Sequence, residues 1–440
     1  MPSATPPFHR GPVAVALAAT LVPAVAAVAY VHAFGVNVPF ADTYNGLLPA
    51  LRAFASGHLT LSDLWVPHNE NRMLFPNLLV VLADSHTRMD SKVDMYLGAA
   101  LVIAGTVVLS ALAGHTGRLP AWTAAPLPFL LLSLVQSENY LWAFQVAWFL
   151  IVLCLAGALA ALEGLPRRPW LLAVAAGLAV VGSFSSLQGL LIWPAGLVYL
   201  LLRGAGNRVT AAWCALGAAS GAVYFWQFSS PALRPSLGYI LREPAQTVKY
   251  GLILVGSIFP AGREEIGALV LLLLVAAVYI AHRCGVGWPE LRLPLALATF
   301  AVLFDLLVVL GRAVGNQPTS SRYTTYNILL LAAIYLLGVR LLEHWRAAAV
   351  AGRGHTALLP AVAGVAAVLC LLQIGLSVPA GLKQGRLTRS TRQQGAALLR
   401  DFRQVSNQQL AQALFPPSGP YVRYWAVWLQ QERWSVFAPR

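Results

Sequence analysis

Apolar runs long enough, or nearly long enough, to cross a lipid bilayer recur along most of this 440-residue chain. Hydrophobic residues make up 58% of the sequence, charged residues only 10%, and the mean hydropathy is +0.67. A soluble domain of this size could not bury that much apolar surface. The sequence therefore predicts an all-α, polytopic transmembrane helical bundle with about 11 spans. The predicted spans are 12–34, 93–113, 120–136, 141–162, 169–183, 187–203, 209–227, 266–282, 293–310, 325–342 and 357–378.

The connections between the apolar runs carry most of the charge, and its sign predicts the topology. Connections predicted to be cytoplasmic contain arginines such as Arg167, Arg168 and Arg283, whereas the short turns at 137–140 and 184–186 contain no lysine or arginine. This positive-inside pattern predicts a multi-pass protein of the cell membrane with a cytoplasmic N-terminus and an extracytoplasmic C-terminus. Most acids fall on the predicted outer side, so we expect any chemistry to face outward.

We divide the chain into a transmembrane domain over 1–378 and an extracytoplasmic C-terminal segment of interfacial helices over 379–440. The transmembrane domain contains a large first outer loop at 35–92. Two shorter apolar pieces, Met73–Ala83 and Gly251–Pro260, are expected to lie in the outer interface or to dip into it.

The net charge of +14 does not indicate a nucleic-acid partner, because the basic residues are spread over many connections. We expect them to set the topology and to contact membrane lipids. Only three of the 30 basic residues are lysines, which is typical of a GC-rich bacterium. The chain has no GxxxxGK[ST], GxSxG or HExxH motif. The sequence therefore lacks the usual motifs of nucleotide-driven transporters, serine hydrolases and zincins.

Polar residues are concentrated after the first predicted span, from Phe40 to Arg72. Asp42 lies just beyond that span, where partial shielding from water can raise the pKa of a carboxyl group and suit it to general-base catalysis. Tyr44 and Asn45 follow it and are predicted to bind substrate. The alternative is that Asp42 is a solvated or helix-capping acid.

A second polar cluster contains His68, Glu70, Asn71 and Arg72, between short apolar segments that include Trp, Pro and Phe. We predict that this cluster lines a substrate pocket at the membrane interface, and a solvated turn is the alternative. His68 and Glu70 could ligate a divalent cation, although two ligands without a third at fixed spacing are weak evidence. No other cofactor is predicted.

Three later segments add candidates on the same predicted side. Glu138 lies in a turn so short that its carboxylate must stay near the membrane plane, which predicts a second catalytic acid or a structural partner for the first loop. Arg312 and Arg322 could bind phosphate oxygens, and Tyr323 could hydrogen-bond to or stack on a sugar. Ordinary interfacial anchoring is the alternative. Gln188, in a neutral polar turn, is predicted to line the same cavity.

These features occur in a recognisable order. One span precedes a large outer loop that begins with an acid, Phe40-Ala41-Asp42-Thr43-Tyr44; a Pro-containing piece runs from Asn71 to Leu79, and Glu138 lies in the second outer loop. Over roughly residues 12–340 this layout resembles a GT-C fold membrane glycosyltransferase, the class that includes protein O-mannosyltransferases and the lipid A aminoarabinose transferase. It departs from that class in having threonine instead of a second acid after Asp42, and one proline in the Pro-containing piece.

The resemblance implies an inverting transferase that moves a sugar from a polyprenyl-phosphate donor to a glycan, lipid or protein acceptor of the cell envelope. Asp42 would be the general base, Glu138 the second acid, and Arg312 or Arg322 would hold the lipid phosphate. Two other functions stay open. They are transport or flipping of lipid-linked glycans and a non-catalytic role in envelope assembly.

Overall fold

A computed structural model of the chain describes residues 10–117, 119–228, 237–260, 262–313, 318–351 and 357–439. These residues are almost entirely helical, and the described strands are a single antiparallel pair, β1 Pro67–His68 and β2 Asn71–Arg72. Short 3-10 turns join several of the helices. The α-helices are α1 Arg10–Phe34, α2 Thr43–Gly46, α3 Leu48–Ala55, α4 Leu61–Trp65, α5 Leu74–Thr87, α6 Ser91–Thr116, α7 Pro126–Leu131, α8 Ser137–Leu141, α9 Val146–Gly164, α10 Leu171–Ser183, α11 Ile192–Arg203, α12 Asn207–Phe225, α13 Leu237–Arg242, α14 Pro244–Gly256, α15 Glu264–Arg283, α16 Arg292–Arg312, α17 Thr324–Val350, α18 Leu358–Arg400, α19 Asn407–Leu414 and α20 Gly419–Glu432.

Seven helical segments among the described residues are long and apolar enough to cross a membrane. They include α1, α6, α9, α15, α16, α17 and α18, which lie where seven of the predicted spans were expected. The prediction of an all-α, multi-helix membrane protein is confirmed at this level. Three further predicted spans correspond to the shorter apolar segments Ala121–Leu131, Leu171–Ser183 and Leu187–Arg203, so the total of eleven stays a prediction.

The bundle is built around α6, α9, α16 and α17. Helix α6 packs against α1 and α9, and α16 packs against α11 and α17. Gly105 permits the closest of these approaches, because a Cβ atom there would lie 3.0 Å from the Cα of Leu153 on α9. Small residues at such crossings let apolar helices pack backbone to backbone.

A second hydrophobic core lies at one end of the bundle. Residues 35–90, which contain α2–α5, share this core with residues 396–439, which contain α19 and α20. We call these two segments together the cap. Backbone hydrogen bonds join them, from Ala41 N to Leu414 O (2.7 Å) and from Ser435 N to Arg88 O (2.8 Å). The first outer loop and the C-terminal segment, which the sequence analysis treated separately, therefore fold as one unit.

The predicted boundary between residues 378 and 379 falls inside α18. This helix runs without interruption from Leu358 to Arg400 and includes Pro379. Proline removes one backbone donor from the helix, but it does not end it here. Helix α18 thus connects the bundle to the cap.

The other end of the bundle carries buried ion pairs. Glu163, near the C-terminus of α9, accepts hydrogen bonds from Arg292 and from the hydroxyl of Tyr199 (2.7 Å). Arg340 donates to both carboxylate oxygens of Glu343 one turn later, at 3.0 and 2.9 Å. We call this the uncapped end.

Candidate functional site

A cavity of about 530 Å³ lies between the cap and the bundle. We call it the main cavity. Eight of the twelve predicted site residues line it, although they come from four separate segments of the chain. These eight are Asp42, His68, Glu70, Asn71, Gln188, Arg312, Arg322 and Tyr323.

Asp42 is held in place by bonds to the residues just before it. Ala41 adopts a left-handed backbone conformation, with φ 46°, which is costly for a residue with a Cβ atom. Its N–H donates to Leu414 O, and the carbonyl of Phe40 accepts a hydrogen bond from Trp142 Nε1 at 3.1 Å. The C-terminal part of the cap and the segment after α8 thus fix the turn that presents Asp42.

The hairpin β1–β2 presents three of the cavity residues, His68, Glu70 and Asn71. Its two-residue loop begins with Asn69 in the left-handed conformation, φ 51°, which asparagine tolerates better than most residues. Asn71 Oδ1 accepts hydrogen bonds from Ser186 Oγ (2.6 Å) and from Leu187 N (3.1 Å). The hairpin is therefore anchored to the turn that carries Gln188.

Arg72, the second residue of β2, is buried and does not line the main cavity. Its guanidinium donates to the carbonyls of Tyr224 (2.6 Å), Trp226 (2.5 Å) and Trp65 (3.2 Å), and it stacks over the Trp65 ring. All of these acceptors are backbone groups. The structure therefore gives Arg72 the task of fastening the hairpin to the end of α12, and this differs from the substrate contact that the sequence suggested.

Asp42 and His68 face each other in the main cavity. Asp42 Oδ2 lies 3.7 Å from His68 Nε2, and the Asp42 side chain is 34% exposed whereas that of His68 is 9% exposed. The edge of Phe144 packs against the imidazole. Gly46 permits this packing, since a Cβ atom there would lie 2.6 Å from Phe144 and 3.1 Å from His68 Nδ1.

Two arginines lie on the cavity wall that faces the hairpin. Arg312, at the end of α16, forms an ion pair with Glu70. Arg322 lies in the turn before α17, where burial lowers its pKa but the neighbouring Tyr323, Glu138 and Asp42 together hold that pKa above its ordinary value. Arg322 therefore stays a cation in the wall of the main cavity, with its guanidinium over the Tyr323 ring.

Glu138 does not line the main cavity. Its Oε2 atom accepts hydrogen bonds from Ser320 Oγ (2.6 Å), Ser321 Oγ (3.2 Å) and Arg322 N (2.9 Å). The carboxylate lines a neighbouring cavity of about 590 Å³, which we call the polar cavity. Arg322 lines both cavities. Glu138 thus orients the turn that carries Arg322.

Tyr44 and Asn45 also lie outside the main cavity. Tyr44 is fully buried in the core of the cap, 5.9 Å from the Phe415 ring centroid. Burial raises the pKa of its hydroxyl far above the ordinary value. Asn45, the next residue on α2, is exposed. Neither residue contacts the cavity to which the sequence assigned it.

The predicted metal ligands His68 and Glu70 have different partners. His68 lies beside Asp42, and the carboxylate of Glu70 is engaged by Arg312. The described residues contain no group of three or more His, Cys, Asp or Glu side chains placed to hold a metal ion. A carboxylate that is already paired with arginine suits a divalent cation poorly. We therefore derive no step through a metal.

Sequence reasoning missed the residues that shape the bottom and the apolar side of the main cavity. Phe144, Gln145 and Trp148 follow directly after α8, and Phe304 and Leu307 come from α16. Gln145 is 3% exposed, and no described residue donates a hydrogen bond to its Oε1 atom. The signal was Gln145, an amide flanked by Phe144 and Trp148 at the start of an otherwise apolar run.

Comparison with known proteins gives no relative: no family model, no curated protein and no solved structure matches this chain.

Proposed function

We propose that this protein is a membrane glycosyltransferase that moves a sugar from a polyprenyl-phosphate donor to an acceptor hydroxyl, with Asp42 as the general base. One observation carries the proposal. The carboxylate of Asp42 and the guanidinium of Arg322 line the same cavity, and that cavity has an apolar wall.

The apolar wall suits the lipid part of such a donor. Phe304, Leu307 and Val308 on α16 line the main cavity. Leu310 also lines it, and its side chain is 50% exposed on the surface of the bundle. A prenyl chain that enters past Leu310 would therefore move from the lipid bilayer to the apolar wall of the cavity. Its phosphate would then contact Arg312 and Arg322.

The reaction would be a single displacement. The acceptor hydroxyl loses its proton to a carboxylate oxygen of Asp42 as its oxygen attacks the anomeric carbon. The bond from that carbon to the phosphate oxygen breaks, and the leaving polyprenyl phosphate takes the electron pair. Arg322, supported by Arg312, stabilises the negative charge that develops on this phosphate. The anomeric centre is inverted.

His68 would support the base. Its Nε2 atom lies 3.7 Å from Asp42 Oδ2 and 3.1 Å from Asn69 Nδ2, so the imidazole lies between the Asp42 carboxylate and the loop of the hairpin. Packing against Phe144 limits rotation of the ring. His68 therefore orients the Asp42 carboxylate toward the acceptor.

The test compares host strains by mass spectrometry of envelope glycans and polyprenyl-phosphate sugars. A deletion strain is complemented with wild type, with Asp42→Asn or with the control Asp63→Asn. Asp63 is a half-buried acid of the cap that accepts hydrogen bonds from Thr60 and does not line the main cavity. We expect deletion and Asp42→Asn to lose the same sugar while its lipid-linked donor accumulates, and Asp63→Asn to restore the sugar. Restoration by Asp42→Asn would exclude Asp42 as the base.

Transport of a lipid-linked glycan is the second candidate, and Asp305 is the observation that favours it. This acid lies within α16, is 6% exposed, and finds no hydrogen-bond partner among the described residues. Isolated buried acids inside membrane helices often mark transport pathways. Transport predicts that Asp305→Asn, rather than Asp42→Asn, reproduces the deletion phenotype. A non-catalytic role in envelope assembly predicts that both variants restore the wild-type profile.

A further inference from the structure

A third cavity, of about 190 Å³, lies at the cap end of α18, and we call it the small cavity. It shares Glu138 and Gln384 with the polar cavity. Thr388, Thr391 and Arg392 line it on the same side as Gln384. Gln384, Thr388 and Arg392 follow one another at intervals of four residues on α18, so their side chains lie on one face of that helix, with Thr391 beside Arg392.

Arg392 is the cation of the small cavity, and no described carboxylate forms an ion pair with it. Its Nε atom is buried and has no hydrogen-bond partner among the described residues. The guanidinium carbon lies 3.0 Å from the centroid of the Phe40 ring. A ring face attracts the cation but accepts no in-plane hydrogen bond, so the Nε–H group is left without an acceptor among the described residues.

Glu138 also lines the small cavity, but it forms no ion pair with Arg392 among the described residues. Glu138 already accepts three hydrogen bonds at Oε2 from the turn that carries Arg322. A partly buried guanidinium is costly unless its donors are satisfied. The arrangement therefore suits an external anion that supplies acceptor oxygens.

We propose that Arg392, with Gln384 and Thr388, forms a phosphate-binding site in the small cavity. The Thr391 hydroxyl donates to backbone carbonyls of α18 and is not one of the donors. Arginine, hydroxyl and amide donors together match the several oxygens of a phosphate group. The cavity has room for a phosphate group, because its volume corresponds to about six water molecules at roughly 30 Å³ each. This site is separate from Arg312 and Arg322 in the main cavity and does not depend on the proposed transferase activity.

The surroundings favour the phosphate of a lipid headgroup over free phosphate. Leu387 lines the small cavity, and its side chain is 53% exposed. Toward the N-terminus of α18, on the same side as Leu387, Leu372 and Leu376 are 50% and 49% exposed. An acyl chain can therefore lie along the exposed apolar side of α18 while its headgroup reaches Arg392.

The experiment measures thermal unfolding of the full-length protein in a neutral detergent during titration with three probes. These are a short-chain phosphatidic acid, a diacylglycerol with the same chains, and inorganic phosphate. The variants are Arg392→Gln, Thr388→Val and the control Arg386→Gln, which removes the same charge from an exposed position on the same helix. Size-exclusion chromatography establishes whether each variant is folded. If Arg392→Gln does not fold, the comparison of Thr388→Val with wild type decides the test.

We expect phosphatidic acid to raise the thermal unfolding midpoint of wild type and of Arg386→Gln. Its affinity for Arg392→Gln should be at least about tenfold lower. Thr388→Val should weaken binding by a smaller factor. The same pattern with inorganic phosphate would identify free phosphate as the ligand. The proposal is wrong if diacylglycerol acts as well as phosphatidic acid, or if neither Arg392→Gln nor Thr388→Val weakens binding.

Discussion

The two ends of the bundle treat their acidic residues in opposite ways. At the uncapped end, both oxygens of Glu163 are engaged, by Arg292, by Tyr199 and by Arg203 at 3.5 Å. At the capped end, the Asp42 carboxylate has His68 at 3.7 Å and accepts no hydrogen bond from any described residue. A saturated carboxylate can only hold structure, whereas an acid with free acceptor sites beside a cavity can bind or move a proton. We therefore expect Glu163 to serve the stability of the bundle and Asp42 to serve the proposed reaction.

Breaking the Glu163 cluster should have the largest effect on stability. Glu163→Gln leaves Arg292 and Arg203 buried without their carboxylate, which we expect to lower the free energy of unfolding by about 3–5 kcal/mol. Thermal unfolding in detergent or nanodiscs measures the change. Glu432→Gln, which neutralises an exposed acid at the end of α20, is the control and should leave the midpoint unchanged. Equal effects of the two variants would mean that the buried cluster does not stabilise the bundle.

Neutralising Asp42 should have little effect on stability and a large effect on the proposed activity. Because Asp42 is partly exposed and unsaturated, Asp42→Asn should change the free energy of unfolding by no more than about 0.5 kcal/mol. Loss of the general base should lower the rate of sugar transfer by about 10²–10⁴-fold. Purified protein, assayed with a lipid-linked donor identified from the deletion strain, gives both quantities. Unfolding of Asp42→Asn would place this acid with Glu163 as a structural residue.

Asp84 and Asp94 sharpen the comparison, because they are acids of the capped end that are buried without a cation. They are 0% and 1% exposed, and the two carboxyl groups interact with each other. Burial, together with the charge of Asp90, raises the pKa of Asp84 to about 7. Since the folded pKa is raised, the stability contribution is complete below the unfolded pKa and is lost as the pH rises toward 7.

An asparagine at position 84 does not titrate, so Asp84→Asn should not lose stability at this site as the pH rises toward 7. Relative to wild type, we expect the variant to gain about 1–3 kcal/mol of stability between acidic and neutral pH. Unfolding midpoints measured from pH 4 to pH 8 test this, with the exposed Asp401→Asn as the control. Parallel curves for wild type and Asp84→Asn would show that burial of this acid has no pH-dependent cost.

Much of the site could be predicted because polar residues are rare in an apolar chain. His68, Glu70 and Asn71 stood out as a polar cluster, and Arg312 and Arg322 as cations between apolar runs, and all five line the main cavity. What local sequence could not reveal was which way each side chain points. Tyr44 and Asn45 are adjacent on α2, yet one faces the core of the cap and the other faces outward.

The cap itself could not be predicted from local patterns. Its core joins residues far apart in the sequence, as the hydrogen bond between Ala41 and Leu414 shows. Apolar spacing in 35–90 and in 396–439 indicates amphipathic helices in each segment, but it does not say which partner covers each apolar face. The function of Arg72 was hidden for the same reason, since its acceptors are backbone carbonyls at the end of α12.

The smallest effect is expected at Tyr44, whose buried hydroxyl lowers the free energy of unfolding if it makes no hydrogen bond. The Tyr44 hydroxyl is buried and has no hydrogen-bond partner among the described residues. Tyr44→Phe should therefore leave the free energy of unfolding unchanged or raise it by up to about 1 kcal/mol. In Tyr224 the hydroxyl donates to Glu70 O at 2.8 Å and accepts from Arg72 N at 3.1 Å, so Tyr224→Phe should cost about 1 kcal/mol. Denaturant titration compares the two, and a larger loss for Tyr44→Phe would mean that its hydroxyl is bonded in the folded protein.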